Sequence, residues 1–275
     1  MTLGMPGAIE RQLRESFPEL KQTLPDMSMA TALGSSQKFT SSNRQSRCNE
    51  AMDAIKAYIL REGLHPGDPL PSEQELIEKL GTSRSSVREA VRKLEALHIV
   101  QVIHGRGTFV GDFSLEPLIE TLTFRTLAAP GTNFETLYDV IEVRRSIDIG
   151  TAEMVVAALK RASTEELSEL NDLVENMRVR AVAGEDFFAD DIAFHTRLLR
   201  QIGHDALTQV GRSLCLVHMS VLPRLGLHVS AELTETAVSH RVILEAAQDG
   251  DVEEYCRAII SHYEPVEAII RENFS

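Results

Sequence analysis

The sequence predicts a mainly α-helical protein, with an N-terminal winged helix-turn-helix and a C-terminal antiparallel all-α bundle of about six or seven helices. Three observations predict it. Residues 71–110 read as two short helices joined by a tight turn, followed by a hairpin with a glycine-rich tip. Residues 115–274 keep apolar residues three and four apart and show no convincing strand alternation. Trp is absent and aromatic residues make up only 5% of the chain, which suits helices packed through Leu, Ile, Val and Ala.

Residues 1–46 come first. Ile9, Leu13, Phe17 and Leu20 could stripe a short helix, yet 35–46 holds nine Ser, Thr, Asn or Gln in twelve positions. That composition is a linker's, and the segment is expected to be a flexible extension without an assigned role. A domain at 47–112 then opens with a helix over 49–62, turning Ala51, Ile55, Tyr58 and Ile59 inward, and a turn at His65-Pro66-Gly67-Asp68-Pro69. The next helix, 73–80, carries Leu76, Ile77 and Leu80 on one face. Gly81 can take the positive φ that ends it, and Thr82 or Ser83 can cap its successor. The helix from about 84 to 97 buries Val87, Val91 and Leu94 and displays Arg84, Arg88 and Arg92, with Ser83, Ser85 and Ser86 at its start. An apolar strand (Ile99, Val100, Val102) leads to the tip His104-Gly105-Arg106-Gly107 and on to Thr108-Phe109-Val110.

A helix with an apolar back and an Arg/Ser front suits a DNA major groove. Arginine can bond guanine O6 and N7 together, while hydroxyls and amides hold phosphates. At the hairpin tip, two glycines permit close backbone approach, and an arginine suits the negative potential of a minor groove. The alternative, a solvated loop on a small α/β domain, does not account for a basic wing in register with a helix-turn-helix. The stretch PSEQELIEKLGTSRSSVREAVRKLEALHIVQVIHGRGTFV closely resembles the winged helix-turn-helix of the GntR transcription regulators, over some 60 residues with the preceding helix. The resemblance implies that Arg84 and Arg88 read bases or clamp phosphates and that Ser83 and Ser85 contact the backbone. His104, Gly105 and Arg106 would then enter or flank the minor groove. In PSEQ, Gln74 stands where the family usually carries a guanine-contacting arginine; glutamine favours adenine or a phosphate there.

Charge supports this division. The net charge is −13, but residues 113–275 carry 14 basic and 27 acidic side chains, whereas 79–107 carry six basic against Glu89 and Glu95. Positive charge is therefore local to the reading surface, which excludes indiscriminate nucleic-acid binding without excluding an operator reader. No apolar run approaches a membrane span, and no signal pattern opens the chain. Cys48, Cys215 and Cys256 are far apart, form no CxxC pair and read as reduced thiols of a cytoplasmic protein.

Residues 113–275 are expected to form the helical effector-binding and dimerisation domain, with helices near 115–128, 135–159, 164–183, 186–202, 205–225, 231–248 and 250–273. Its histidines are His195, His204, His218, His228, His240 and His262. Asp191 and His195 share a helical face, and His195, His240 and His262 each lie on an apolar stripe, so one carboxylate and three imidazoles could converge inside the bundle. Such a set suits Zn, Ni, Mn or Fe. A histidine on an apolar stripe also serves as a hydrogen-bonded core residue, and His218 points inward too; periodicity does not choose between these. EVRRSID, DDIAFH, SHRVILEAAQDGD and ISHYEP are similar to the FCD effector domain of the FadR subfamily of GntR regulators. That resemblance implies metal ligands at Asp191, His195, His240 and His262, with zinc the leading choice, and Arg144 as the contact to an organic acid. His218 is taken with Arg144 as effector-binding. An intrahelical pairing of Arg144 or Arg145 with Glu142 or Asp148 is the alternative.

P-loop, HExxH and GxSxG motifs are absent, and an enzyme is not expected. The expectation is a homodimeric repressor whose hold on double-stranded operator DNA is controlled by a small carboxylate, a sugar acid or hydroxy acid, bound at the metal. Two alternatives are a regulator in which the metal itself is the signal, and a metal-dependent hydrolase fused to a DNA module.

Overall fold

A computed structural model describes residues 44–128, 133–226 and 233–273. The remainder of 1–46, and His228, lie outside the described residues. The chain divides into two compact units, the first ending at Ser114 and the second beginning at Leu115.

In the first unit, α1 (Arg44–Glu62) begins earlier than expected, inside the segment read as linker, and contributes Cys48, Ala51, Ala54, Ile55 and Ile59 to the core. Helix α2 (Glu73–Leu80) starts where Ser72 and Glu75 cap each other: the Ser72 hydroxyl accepts from the Glu75 amide, and the Glu75 carboxylate accepts from the Ser72 amide at 2.8 Å. Gly81 closes it at φ 57°. Ser83 then caps α3 (Arg84–Ala96) by accepting from the Ser86 amide at 3.2 Å. Helix α3 buries Val87, Ala90 and Leu94 completely and leaves Val91 half-buried. Val91 nonetheless packs against the same core, and α1 and α3 are in contact. Strands β1 (Val100–Ile103) and β2 (Gly107–Val110) form the wing, with Val100 opposite Val110 and Ile103 opposite Gly107. Val102, named in the apolar strand, is 44% exposed. Alternation from the buried Val100 puts both on one face, but the wing projects beyond the core that covers Val100. At the wing's base a Cβ on Gly111 would lie 2.2 Å from the His98 carbonyl oxygen, so only glycine fits.

Among the described residues the second unit is helical: α4 (Glu116–Leu127), α5 (Asn133–Gly150), α6 (Ala152–Leu159), α7 (Thr164–Ala183), α8 (Phe188–Arg200), α9 (Asp205–Val221), α10 (Leu233–Asp249) and α11 (Val252–Glu272). The helix expected over 135–159 is two. It breaks at Thr151, whose hydroxyl donates to the Ile147 carbonyl at 2.8 Å beside the permissive Gly150. The helix expected over 205–225 ends at Val221, and Pro223 continues it as a single 3-10 turn (Leu222–Leu225). Helix α7 follows a second reciprocal cap, Ser163 with Glu166, and stops at Gly184 with φ 70°. Helix α9 packs against α4, α5 and α8, while α10 packs against α6, α7 and α11. Leu137, Ile141, Leu170, Met177, Phe194 and Ile243 are fully buried among them. Five of these helices, α5, α8, α9, α10 and α11, turn polar side chains into that apolar interior.

Candidate metal centre and nucleic-acid interface

Helix α8 presents Asp191 and His195 one turn apart, α10 presents His240 and α11 presents His262. One ligand atom from each lies within 4.8 Å of the others, and all four residues are buried. Hydrogen bonds around the cluster settle two tautomers. The Nδ1 of His240 lies 2.7 Å from the Thr236 carbonyl oxygen, which can only accept, so Nδ1 carries the proton. The Ser239 hydroxyl donates to the same carbonyl at 2.7 Å and lies 2.8 Å from His262 Nδ1, so Nδ1 of His262 donates to the hydroxyl oxygen. With Nδ1 so engaged, each ring turns its Nε2 inward, the atom that would face a cation.

That leaves an electrostatic conflict. His240 Nε2 stands 3.0 Å from Asp191 Oδ2, and His195 Nε2, also buried and without a hydrogen bond, stands 3.9 Å from Asp191 Oδ1. Two electron-rich atoms at 3.0 Å in a desolvated interior repel unless a proton or a cation lies between them. Burial pushes His195 and His262 well below the usual imidazole range, leaving both neutral and able to act as ligands. Burial raises the Asp191 carboxyl, but interaction with His240, supported by His195 and Arg144, outweighs it and holds the group well below the usual carboxylate range. The four residues thus form a donor set that could hold a metal: one carboxylate and three imidazoles.

Beside it, α5 contributes Arg144, 2% exposed. Its NH1 donates to His218 Nδ1 at 3.0 Å, and its NH2 lies 3.5 Å from Asp191 Oδ1. Arginine can only donate, so His218 Nδ1 accepts and the proton of the neutral ring sits on Nε2. Burial, with the Arg144 charge, pushes His218 down to about 3. Among the described residues, Arg144 NH2 and His218 Nε2 are both buried and make no hydrogen bond, NH2 keeping only its 3.5 Å ion pair with Asp191. Both residues line a cavity of about 50 Å³ that also touches Asp191 and His262. Although burial disfavours its charge, Arg144 is held cationic by surrounding groups, including Asp191 and Asp148. Arg145, by contrast, turns away to Glu267 at 2.6 Å and to Glu142 at 3.6 Å, the intrahelical pairing weighed for both arginines.

In the first unit, Ser83, Arg84, Ser85, Arg88 and Gln74 are all exposed. Arg88 Nε donates to both oxygens of Glu73 at 3.0 and 2.9 Å, and Arg84 Nε lies 3.6 Å from the same carboxylate. Gln74 donates to Glu78 at 2.7 Å. Ser83 Oγ, besides capping α3, pairs with Ser85 Oγ at 2.9 Å. At the wing tip His104, Gly105 and Arg106 are exposed, Gly105 has φ 75°, and the Arg106 guanidinium stacks 5.6 Å from the Phe109 ring centre.

Comparison with known proteins agrees with both halves. Residues 48–110 match the family described as bacterial regulatory proteins, gntR family, and residues 139–265 match the FCD domain. LutR of Bacillus subtilis, an HTH-type transcriptional regulator, is 32% identical over 180 residues, which are 66% of this chain and 72% of that protein. The chain belongs to the GntR family. It falls in the FadR-like subfamily, in which a GntR helix-turn-helix is joined to an FCD domain. Another relative, the galactonate operon transcriptional repressor of Escherichia coli, is 26% identical over 191 residues, 69% of this chain and 82% of the relative. The solved structure of a Streptococcus agalactiae GntR covers 80% of this chain and 99% of its own, at a TM-score of 0.58 and 25% identity. This GntR protein is accordingly a DNA-binding transcription regulator and not an enzyme. No described helix is long and apolar enough to cross a membrane.

The regulator's site also includes residues that the sequence reading passed over. Asp148, one turn from Arg144 on α5, accepts from the Tyr263 hydroxyl at 2.6 Å and lies 3.8 Å from His195 Nδ1. Cys215 faces Asp191 with 3.8 Å between sulfur and oxygen, and burial pushes its thiol up to about 12. Glu73, which pairs with both Arg84 and Arg88, was missed as well. Asp148 carried a signal, an i,i+4 spacing from Arg144, but it was weighed only as that arginine's partner. Ser239 carried none.

Proposed function

We propose that this GntR regulator is a repressor that binds a near-palindromic operator as a homodimer and releases it when a small carboxylate enters the FCD domain. The observation that carries the effector is the pair of buried donors, Arg144 NH2 and His218 Nε2, which make no hydrogen bond among the described residues and lie at the edge of a cavity. Leaving buried donors unsatisfied is unfavourable, and a carboxylate supplies two acceptor oxygens to a guanidinium fork. In this reading Asp191, His195, His240 and His262 hold a divalent transition metal, zinc by preference, with Ni, Mn or Fe as the other candidates. The metal would supply a Lewis-acidic contact for one carboxylate oxygen. Gln74, Ser83, Arg84, Ser85, Arg88, His104, Gly105 and Arg106 supply the DNA contacts, the arginines reading bases and the serines holding phosphates.

Control is a coupling free energy between two sites, and ~1–3 kcal/mol changes operator occupancy several-fold to a hundredfold. The test is a thermal-shift screen of organic acids with and without chelator, paired with operator binding at fixed salt. A stabilising acid whose effect disappears with chelator and with His195→Ala supports the effector site. Arg84→Ala should weaken operator binding by ~1–3 kcal/mol, and intact binding would remove it from the interface. If chelator changes neither stability nor ligand response, the metal is discarded. Release of operator by metal alone would make the metal the signal.

A further inference from the structure

We infer that Gln74, oriented by Glu78, reads an adenine in the operator and discriminates against guanine. The inference rests on the reading above that Gln74 touches DNA, and it narrows adenine or phosphate to adenine. Placement comes first. Gln74 follows Glu73 at the start of α2, and Glu73 contacts both Arg84 and Arg88 of α3. The first turn of α2 therefore abuts the arginine face of the second helix. Glu75 is committed to capping Ser72, while Glu78 lies one turn beyond Gln74. There, Gln74 Nε2 donates to Glu78 Oε1 at 2.7 Å.

That bond fixes the amide. A carboxylate only accepts, so the amide nitrogen must face Glu78 and the carbonyl oxygen is turned away from it. The second N–H and the carbonyl oxygen make no other hydrogen bond among the described residues, which leaves a donor and an acceptor side by side on an exposed side chain. Adenine offers the complement in the major groove, an N7 acceptor beside an N6 donor. Guanine offers two acceptors, N7 and O6, and one of them would face the Gln74 carbonyl oxygen. A free amide could swing both N–H groups toward guanine, but one held by Glu78 cannot. Cytosine offers a donor alone and thymine an acceptor alone, so each satisfies half of the amide. A phosphate suits the site least, because it offers only acceptors and a charge that the Glu78 carboxylate repels.

Selection from a randomised duplex library by the full chain at fixed salt tests this, followed by competition of the selected duplex against single-base variants. The parent protein should select adenine at one position, and guanine there should cost roughly five- to a hundredfold in affinity. Gln74→Ala should erase the preference at that position alone. Gln74→Arg, which presents only donors, should transfer it to guanine. Glu78→Ala frees the amide, so the adenine-to-guanine ratio should fall while affinity for unrelated duplex does not weaken. Both side chains are exposed, so each variant should melt like the parent. If Gln74→Ala keeps every preference, or weakens all sequences equally and lowers the salt dependence, Gln74 reads no base and the inference is overturned. A base other than adenine at the position that Gln74→Ala erases overturns it as well, and so does a Glu78→Ala protein with the parent's adenine-to-guanine ratio. Arg84→Ala separates the two readings: if it too leaves every preference intact, the DNA contacts proposed above fall, and the inference falls with them.

Discussion

Ser239 offers the sharpest test of how this cluster is assembled, because it touches a proposed ligand and is not itself one. Its hydroxyl hydrogen is committed to the Thr236 carbonyl at 2.7 Å, so its oxygen can only accept from His262 Nδ1 at 2.8 Å. That bond selects the tautomer whose Nε2 lone pair faces Asp191 and holds the ring in plane. Ser239→Ala removes the acceptor and lets His262 sample the other tautomer and other ring orientations. Partners of this kind typically contribute 10–100-fold to metal affinity, about 1.4–2.7 kcal/mol. Competition of the metal against a chromophoric chelator reads this directly, and Ser239→Ala should bind zinc 10–100-fold more weakly. The metal-free protein should lose little stability, since Ser239 is only half-buried. Thr236→Val is the matched control: His240 bonds to the Thr236 backbone carbonyl and not to its side chain, so metal affinity should stay within about threefold. If Ser239→Ala binds zinc like the parent while remaining folded, the tautomer argument is wrong.

Two further outcomes follow from the geometry. His218 is held neutral down to about 3 in the folded protein but titrates near 6.5 when exposed, so between those values the unfolded chain binds more protons. Stability should therefore fall as pH drops below about 6.5, by up to about 1.4 kcal/mol per pH unit from this group, and His218→Gln should flatten that slope in urea unfolding between pH 7.5 and 5.5. An unchanged slope would show that His218 does not titrate this way. In the helix-turn-helix, Glu73→Gln removes a negative charge from the proposed DNA-contacting surface and the carboxylate that grips Arg88 Nε at 2.9 Å. Binding to a scrambled duplex should tighten while the operator-to-scramble ratio falls about tenfold, or ~1.4 kcal/mol; a ratio that does not change would mean that Glu73 positions nothing.

What the sequence made legible was whatever local chemistry determines. Helix α2 and its turn were readable because Ser72, Glu75, Gly81 and Ser83 act within four residues of themselves. Helix α7 was readable for the same reason, bracketed by Ser163 and Gly184. The break at Thr151 was not, because threonine is ordinary inside a helix and becomes a stop only where its hydroxyl bonds back and the neighbouring helices accept the bend. Val102 shares a strand face with the buried Val100 and is still exposed, because burial depends on what covers a face, not on the face alone. The imidazole stripes likewise predicted that His195, His240 and His262 point inward, and the four side chains do converge. Ser239 and Tyr263 escaped notice, and Asp148 was weighed only against Arg144 and Arg145, because their partners come from other helices or from a neighbouring ring's tautomer, which no spacing encodes.

The network also constrains how a ligand could be felt beyond its own cavity. Arg144 divides its donors between His218 on α9 and Asp191 on α8, and Asp191 in turn faces His240 on α10. An acid that takes Arg144 NH2 must compete with the 3.5 Å contact to Asp191. Weakening that contact leaves Asp191 freer to engage a cation with the three histidines, so acid and metal should favour each other. Reciprocity then requires that the factor by which metal tightens the acid equal the factor by which the acid tightens the metal. The alternative arrangement, in which the acid and Asp191 share the guanidinium without competition, predicts no such linkage. A single side chain 2% exposed would otherwise have no means of telling α8, α9 and α10 that the cavity is full.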